Sequence, residues 1–115
     1  MAADAPDQLL FVYGSLKRGQ VNHAELGSAR FVGHTQTRPA FALRVIDGYP
    51  ALVPGQHAVL GELYRIATGD LARLDEFEGP GYRRQAIELE GGSAALSYVA
   101  TAPASGEPYP RDEWP

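Results

Sequence analysis

Apolar and polar positions follow two periods along this chain. Leu9-Leu10-Phe11-Val12-Tyr13 is an unbroken apolar run stopped by Gly14-Ser15, the pattern of a strand buried on both faces that enters a turn. Lys17 to Gln20 reads as a polar loop, and Val21 to Leu26 as a short helix ended by Gly27. Ala29 to Thr37 and Ala40 to Ile46 read as strands separated by Pro39, with turns at Asp47-Gly48-Tyr49-Pro50 and Pro54-Gly55. His57 to Ile66 is a longer strand pattern with Gly61 inside it, which predicts a bulge or a close backbone approach. The period then becomes helical. Gly69 to Glu78 carries Leu71, Leu74 and Phe77, with Thr68 or Asp70 placed to cap its start and Gly79-Pro80-Gly81 to stop it. Tyr82 to Glu90 and Ala94 to Thr101 are strands joined by the hairpin turn Gly91-Gly92. Residues 1–8 and 103–115 are expected to be flexible or loosely packed tails of a single domain spanning 1–115. Strands, one helix and a closing hairpin predict an α+β fold on a small, mixed, mostly antiparallel barrel-like sheet flanked by short helices.

Composition narrows the function classes. With 115 residues, 44% of them hydrophobic, the chain fits one domain with one modest core. Ten basic against 14 acidic side chains give a net charge of −4, which argues against nucleic acid as partner, since phosphate binding needs a surplus of Lys and Arg. Cysteine is absent, so thiolate nucleophiles, disulfide scaffolds and thiolate metal sites are excluded. His23, His34 and His57 fall in different elements without metal-ligand spacing, so no metal site is expected. The N-terminal stretch has no basic n-region, and no apolar run approaches the roughly 20 residues of a membrane span. A cytoplasmic protein with no membrane partner is expected.

Glu78 is the most informative residue. At about 100° per residue, Leu71 stands at 0°, Leu74 near 300°, Phe77 near 240° and Glu78 near 340°. Glu78 therefore shares the apolar stripe, while Glu76 falls on the opposite face near 140° and Asp75 at the boundary near 40°. An acid aimed inward at the negative end of a helix has its pKa raised, toward the range of a general acid or base. The structural alternative is that the helix has already ended, leaving Glu78 in water or paired with Arg83 or Arg84.

Tyr13-Gly14-Ser15-Leu16, at the end of the first strand, is the second candidate. Such a turn aims consecutive backbone N–H groups into a concavity that takes an anion or oxyanion, with Lys17-Arg18 to reinforce it; otherwise it is an ordinary strand-ending turn. Gly14 to Gly19 has phosphate-loop length, but Gln20-Val21 stands where Lys-Ser/Thr is required. No G-x-S-x-G elbow is present. Alternation puts Tyr82 with Arg84 on one strand face and Arg83 with Ile87 and Leu89 on the other. Glu62 shares a face with Leu60, Tyr64 and Ile66, which predicts a half-buried, paired acid.

Phe11-Val12-Tyr13-Gly14-Ser15-Leu16-Lys17-Arg18-Gly19-Gln20, with Asn22-His23 behind it, resembles the opening of the gamma-glutamylcyclotransferase-like family, most closely its gamma-glutamylamine cyclotransferase branch. Gly61-Glu62-Leu63-Tyr64, Leu74-Asp75-Glu76-Phe77-Glu78-Gly79, then Tyr82, Arg84, Tyr98 and Glu113-Trp114 follow in the family's order. The resemblance implies a β-barrel flanked by helices, with a pocket between the Tyr13–Leu16 loop and the Glu78 helix. It implies Glu78 as the acid/base, Tyr13, Gly14, Ser15, Leu16 and Tyr82 around the gamma-glutamyl group, and Glu62, Arg84 and Tyr98 in support. The implied reaction is attack of the substrate's α-amine on its own γ-carbonyl, giving 5-oxoproline and a free amine without cofactor or metal. The partner is then a small gamma-glutamyl amine or gamma-glutamyl amino acid. The rival reading is a non-catalytic module that binds a small metabolite in the same pocket.

Overall fold

The computed structural model describes residues 7–115. Among these residues eight strands and one α-helix follow in order: β1 (Asp7–Val12), β2 (Arg30–Gln36), β3 (Phe41–Ile46), β4 (Tyr49–Pro54), β5 (Leu60–Ala67), α1 (Thr68–Glu78), β6 (Tyr82–Glu88), β7 (Ala94–Ala100) and β8 (Glu107–Pro108). A 3-10 turn, His23–Leu26, lies between β1 and β2. All eight strands join one mixed, mostly antiparallel sheet in the order β2-β5-β1-β7-β4-β3-β8, with β6 beside β7. The sheet is not closed. Among the described residues no helix is long and apolar enough to cross a membrane.

β1 is the spine, and its continuous apolar run follows from its place. Leu10 and Val12 pack on one side with Tyr64, Ile66, Leu71, Leu74 and Tyr98. Phe11 and Tyr13 pack on the other with Leu43, Leu52, Leu89 and Val99. Period two therefore sends alternate residues of one strand into two different cores. Gly61 on β5 answers the expectation of close approach: a Cβ there would sit 2.4 Å from the Val12 carbonyl oxygen. The bulge itself lies elsewhere, in β2 between Phe31 and Gly33.

The edge of β7 controls the architecture. β6 pairs antiparallel with β7 from Tyr82↔Ala100 to Glu88↔Ala94, filling one edge completely. The other edge is shared by two parallel neighbours, β1 at Leu10↔Leu96 and β4 at Leu52↔Val99. β1 and β4 thus diverge as a fork, and the Tyr13 hydroxyl sits in its crotch. It donates to the Tyr98 carbonyl at 2.6 Å and accepts from the Leu52 N–H at 3.1 Å. One phenol thereby replaces the backbone bond that neither strand can make there.

Three expectations are corrected. The chain bends at both expected turns, but the first is confined to Asp47 (φ 53°) and Gly48 (φ 83°), the second falls at Gly55 and Gln56, and Tyr49 to Pro54 between them form a strand paired with β3. Its prolines fit because N–H groups alternate sides: Leu52 points its N–H away from β3, so Pro50 and Pro54, at the same parity, remove no bond to β3. α1 starts at Thr68 after Ala67 and has no side-chain cap, in place of the expected Thr68 or Asp70 cap. The tails also differ. Residues 1–6 lie outside the described residues, but Asp7 and Gln8 already belong to β1. The C-terminal stretch is largely exposed yet tied down: β8 pairs with β3, Leu60 N–H donates to Asp112 O at 2.8 Å, and the Tyr109 ring packs at a tilt against Trp114. Backbone bonds hold it, which no apolar pattern announces.

Candidate active site

A cavity of about 490 Å³ opens where β1 and β4 diverge. Three segments wall it: the end of β1 with the loop Tyr13–Leu16, the β3–β4 hairpin around Asp47, Tyr49 and Pro50, and the exit of α1 at Phe77, Glu78, Gly81 and Tyr82. Tyr98 and Asn22 complete the lining. Of the residues expected at the site, Tyr13, Gly14, Ser15, Leu16, Glu78, Tyr82 and Tyr98 meet here, whereas Glu62 and Arg84 do not line the cavity.

The loop is held from both sides. Lys17 N–H closes a turn on the Gly14 carbonyl at 3.0 Å, and Asn22 donates to Ser15 Oγ at 3.0 Å. Gly14 lies against Pro50 so closely that a Cβ would fall 2.4 Å from the proline Cγ. The N–H groups of Gly14, Ser15 and Leu16 donate to no acceptor among the described residues. Glu62, 7% exposed, accepts from the Arg18 N–H and the Tyr64 hydroxyl, both at 2.9 Å, and so anchors the far end of the loop. Lys17 and Arg18 do not reinforce an anion site as expected. The Lys17 ammonium donates to the Trp114 carbonyl, and the Arg18 guanidinium lies 4.0 Å over the Phe31 ring. Both tethers are tertiary and leave no trace in local sequence.

Glu78 ends α1, where Gly79 (φ 76°) turns the chain away and its N–H donates to the Asp75 carbonyl. Leu71 and Leu74 are buried, but the apolar stripe does not enter the core along its whole length; Phe77 reaches the cavity rim, 41% exposed. Glu78 is half-buried and has no hydrogen-bond or ion-pair partner among the described residues. The arginines that were its structural alternative are otherwise engaged: Arg84 pairs with Asp75 at 3.4 Å and Arg83 bonds Gln85. Burial pushes the Glu78 carboxyl up from 4.5 to about 7.

The tyrosines around it are committed inward. Tyr82 donates to the Pro50 carbonyl at 3.2 Å, and Tyr98 to Asp75 Oδ1 at 2.7 Å. Burial is the largest cause raising all three phenols, Tyr82 to about 12, with the Asp75 hydrogen bond adding to the rise at Tyr98. All three stay protonated donors near neutral pH, which leaves Glu78 as the lining group poised to exchange a proton there. Asn22 and the β3–β4 hairpin carried no expected role. The signal for the hairpin was Asp47-Gly48 between two apolar stretches, a strong two-residue turn pair. No group of three metal-ligating side chains occurs among the described residues.

Known proteins share this arrangement of elements. A putative gamma-glutamylcyclotransferase of Vibrio cholerae is 41% identical over 88 residues, covering 75% of this chain and 76% of that protein. Gamma-glutamylaminecyclotransferase C of Danio rerio is 41% identical over 93 residues, 70% of this chain and 61% of the relative. The crystal structure of an AIG2-like protein from Mus musculus matches with a TM-score of 0.79 at 32% identity, over 96% of this chain and 89% of that one. The model of the family described as gamma-glutamyl cyclotransferase, AIG2-like, matches residues 10–115. With nearly its whole length matched, the chain belongs to the gamma-glutamyl cyclotransferase, AIG2-like family of cyclising enzymes.

Proposed function

We propose that this chain releases 5-oxoproline and a free amine from a gamma-glutamyl amine or gamma-glutamyl amino acid, with Glu78 as general acid/base. The observation that carries the reading is Glu78 itself: a half-buried, unpartnered carboxyl on the cavity wall with its pKa raised to about 7. The substrate's α-nitrogen bonds to its γ-carbonyl carbon, and the amide bond to the leaving nitrogen breaks. Both reacting groups belong to one molecule, so the main task is holding the glutamyl chain in attack geometry. The α-ammonium must first lose a proton. In becoming the lactam N–H it loses two protons in all, one before attack and one after, and the leaving nitrogen gains two in departing as an ammonium; ionised Glu78 accepts from the one and donates to the other, so no net proton is consumed. The free N–H groups of Gly14, Ser15 and Leu16 suit the oxygen anions of this substrate, its carboxylate or the developing oxyanion.

The test is incubation with several gamma-glutamyl amines and gamma-glutamyl amino acids, with 5-oxoproline measured by chromatography. Turnover by the natural chain and its loss in Glu78→Gln are expected. Substantial turnover by that variant removes Glu78 from the chemistry, and tight ligand binding without any turnover favours a metabolite-binding module.

A further inference from the structure

Among the described residues the cavity wall carries no cation, and Asp47 and Glu78 are the only charged side chains that line it. Of the nearby basic groups, Lys17 is held by the Trp114 carbonyl and Arg18 lies over Phe31, while Arg84 pairs with Asp75 through one nitrogen, keeps its Nη1 buried without a hydrogen-bond partner and does not line the cavity. Asp47 is exposed at the tip of the β3–β4 hairpin, with no hydrogen-bond or ion-pair partner among the described residues. Asp47 and Glu78 reach the cavity from different elements, the β3–β4 hairpin and the exit of α1, and both charges act on the Tyr82 hydroxyl. Around the mouth stand two large, partly exposed rings, Tyr49 (48%) and Phe77 (41%).

We propose that this site selects gamma-glutamyl amines whose leaving amine has an apolar stem and a second, cationic end, with Asp47 as the specificity-determining residue for that cation. The inference rests on the cyclotransferase reading and names its substrate class. Glu78 is occupied with the reacting nitrogen, so Asp47 is the acid available to the far end of the leaving group. Tyr49 and Phe77 cover its methylenes, and a cation there also gains from the faces of these rings. A terminal carboxylate meets the opposite field: it loses its water, approaches an unpaired acid and finds no lysine or arginine in the wall.

Three substrates of nearly equal length and shape isolate the charge: gamma-glutamyl-(5-aminopentyl)amine, gamma-glutamyl-hexylamine and gamma-glutamyl-6-aminohexanoate. In low salt, kcat/KM is expected to fall in that order, with roughly tenfold between cation and anion for a pair near a surface. Asp47→Asn keeps a residue that tolerates the turn's positive φ. Within that variant the cation-to-neutral ratio is expected to fall close to one, and taking the ratio cancels any general change in rate. Raising salt should shrink the same ratio in the natural chain, a reading that needs no variant. Equal rates for the three, a preference for the carboxylate, or a ratio unchanged by both Asp47→Asn and salt overturns the role of Asp47 while leaving the cyclotransferase reading standing. No 5-oxoproline from any of the three, or from any other gamma-glutamyl compound, overturns both.

Discussion

Replacing Glu78 by Gln should stabilise this protein, and by an amount that depends on pH. The carboxyl ionises at about 4.5 when unfolded and at about 7 in the cavity wall. Below about 4.5 it is neutral in both states and costs nothing. Between the two values the folded state binds the extra proton, so stability falls as pH rises, and above about 7 the loss is complete. A shift of roughly 2.5 units at about 1.4 kcal/mol each gives about 3.4 kcal/mol, which water at the cavity mouth reduces to about 2–3 kcal/mol. Set against the 5–15 kcal/mol typical of a whole domain, that is a large term. Glutamine has nearly the same shape and no charge to desolvate, so Glu78→Gln should escape the loss. Urea unfolding at several pH values between 4 and 9 reads the difference directly. The two proteins should unfold at similar urea concentrations near pH 4 and separate progressively, until the variant's midpoint at pH 8.5 lies about 1 M or more higher. Parallel curves across the range, or a variant less stable than the natural chain at pH 8.5, would refute the claim that this carboxylate is held in a desolvated place.

Further expectations concern the reaction and the fork. The rate constant kcat/KM should fall on the acid side with a midpoint near 7, as Glu78 becomes protonated and can no longer accept a proton; a limb centred near 4.5 would remove burial from the account. Tyr13→Phe strands the buried Leu52 N–H and the Tyr98 carbonyl, so a loss of about 1–3 kcal/mol is expected in urea unfolding, with faster amide exchange at Leu52. Gly14→Ala drives a methyl against Pro50 and should lower kcat/KM by at least about tenfold. Combining it with Pro50→Ala should restore part of that loss, and strictly additive effects would mean that the two residues do not meet.

Legibility followed range. The Leu9–Tyr13 run, the Gly91-Gly92 hairpin and the helix ending at Glu78 are written in neighbouring residues, and helical periodicity alone aimed Glu78 inward. β4 was obscured because its prolines imitate turns; only knowing which way Leu52 points its N–H shows that the ladder to β3 does without them. The loop motif was legible as a candidate, but not the fates of Lys17 and Arg18, which depend on Trp114 and Phe31 arriving from elsewhere. Tyr13 was legible as a site residue, but its structural task was not. Its ring lines the cavity while its hydroxyl stitches two strands together. Asp47 passed as an ordinary turn residue, since nothing local says that a hairpin tip overhangs a cavity.

The fork gives unequal mutational freedom to the two halves of the site. In the proposed reaction, proton transfer falls to Glu78 and positioning to the loop wedged beside Pro50, where a Cβ on Gly14 would sit 2.4 Å from the proline Cγ and changes are felt at once. The opposite lip is a two-residue turn at the surface, and lengthening such a turn adds little closure entropy and disturbs no core. On the proposed reading, a descendant of this chain can exchange one leaving group for another by altering Asp47 and its neighbours while inheriting the ring-closing half intact. Selectivity and chemistry, so assigned, are separately heritable because one strand edge is divided between two neighbours.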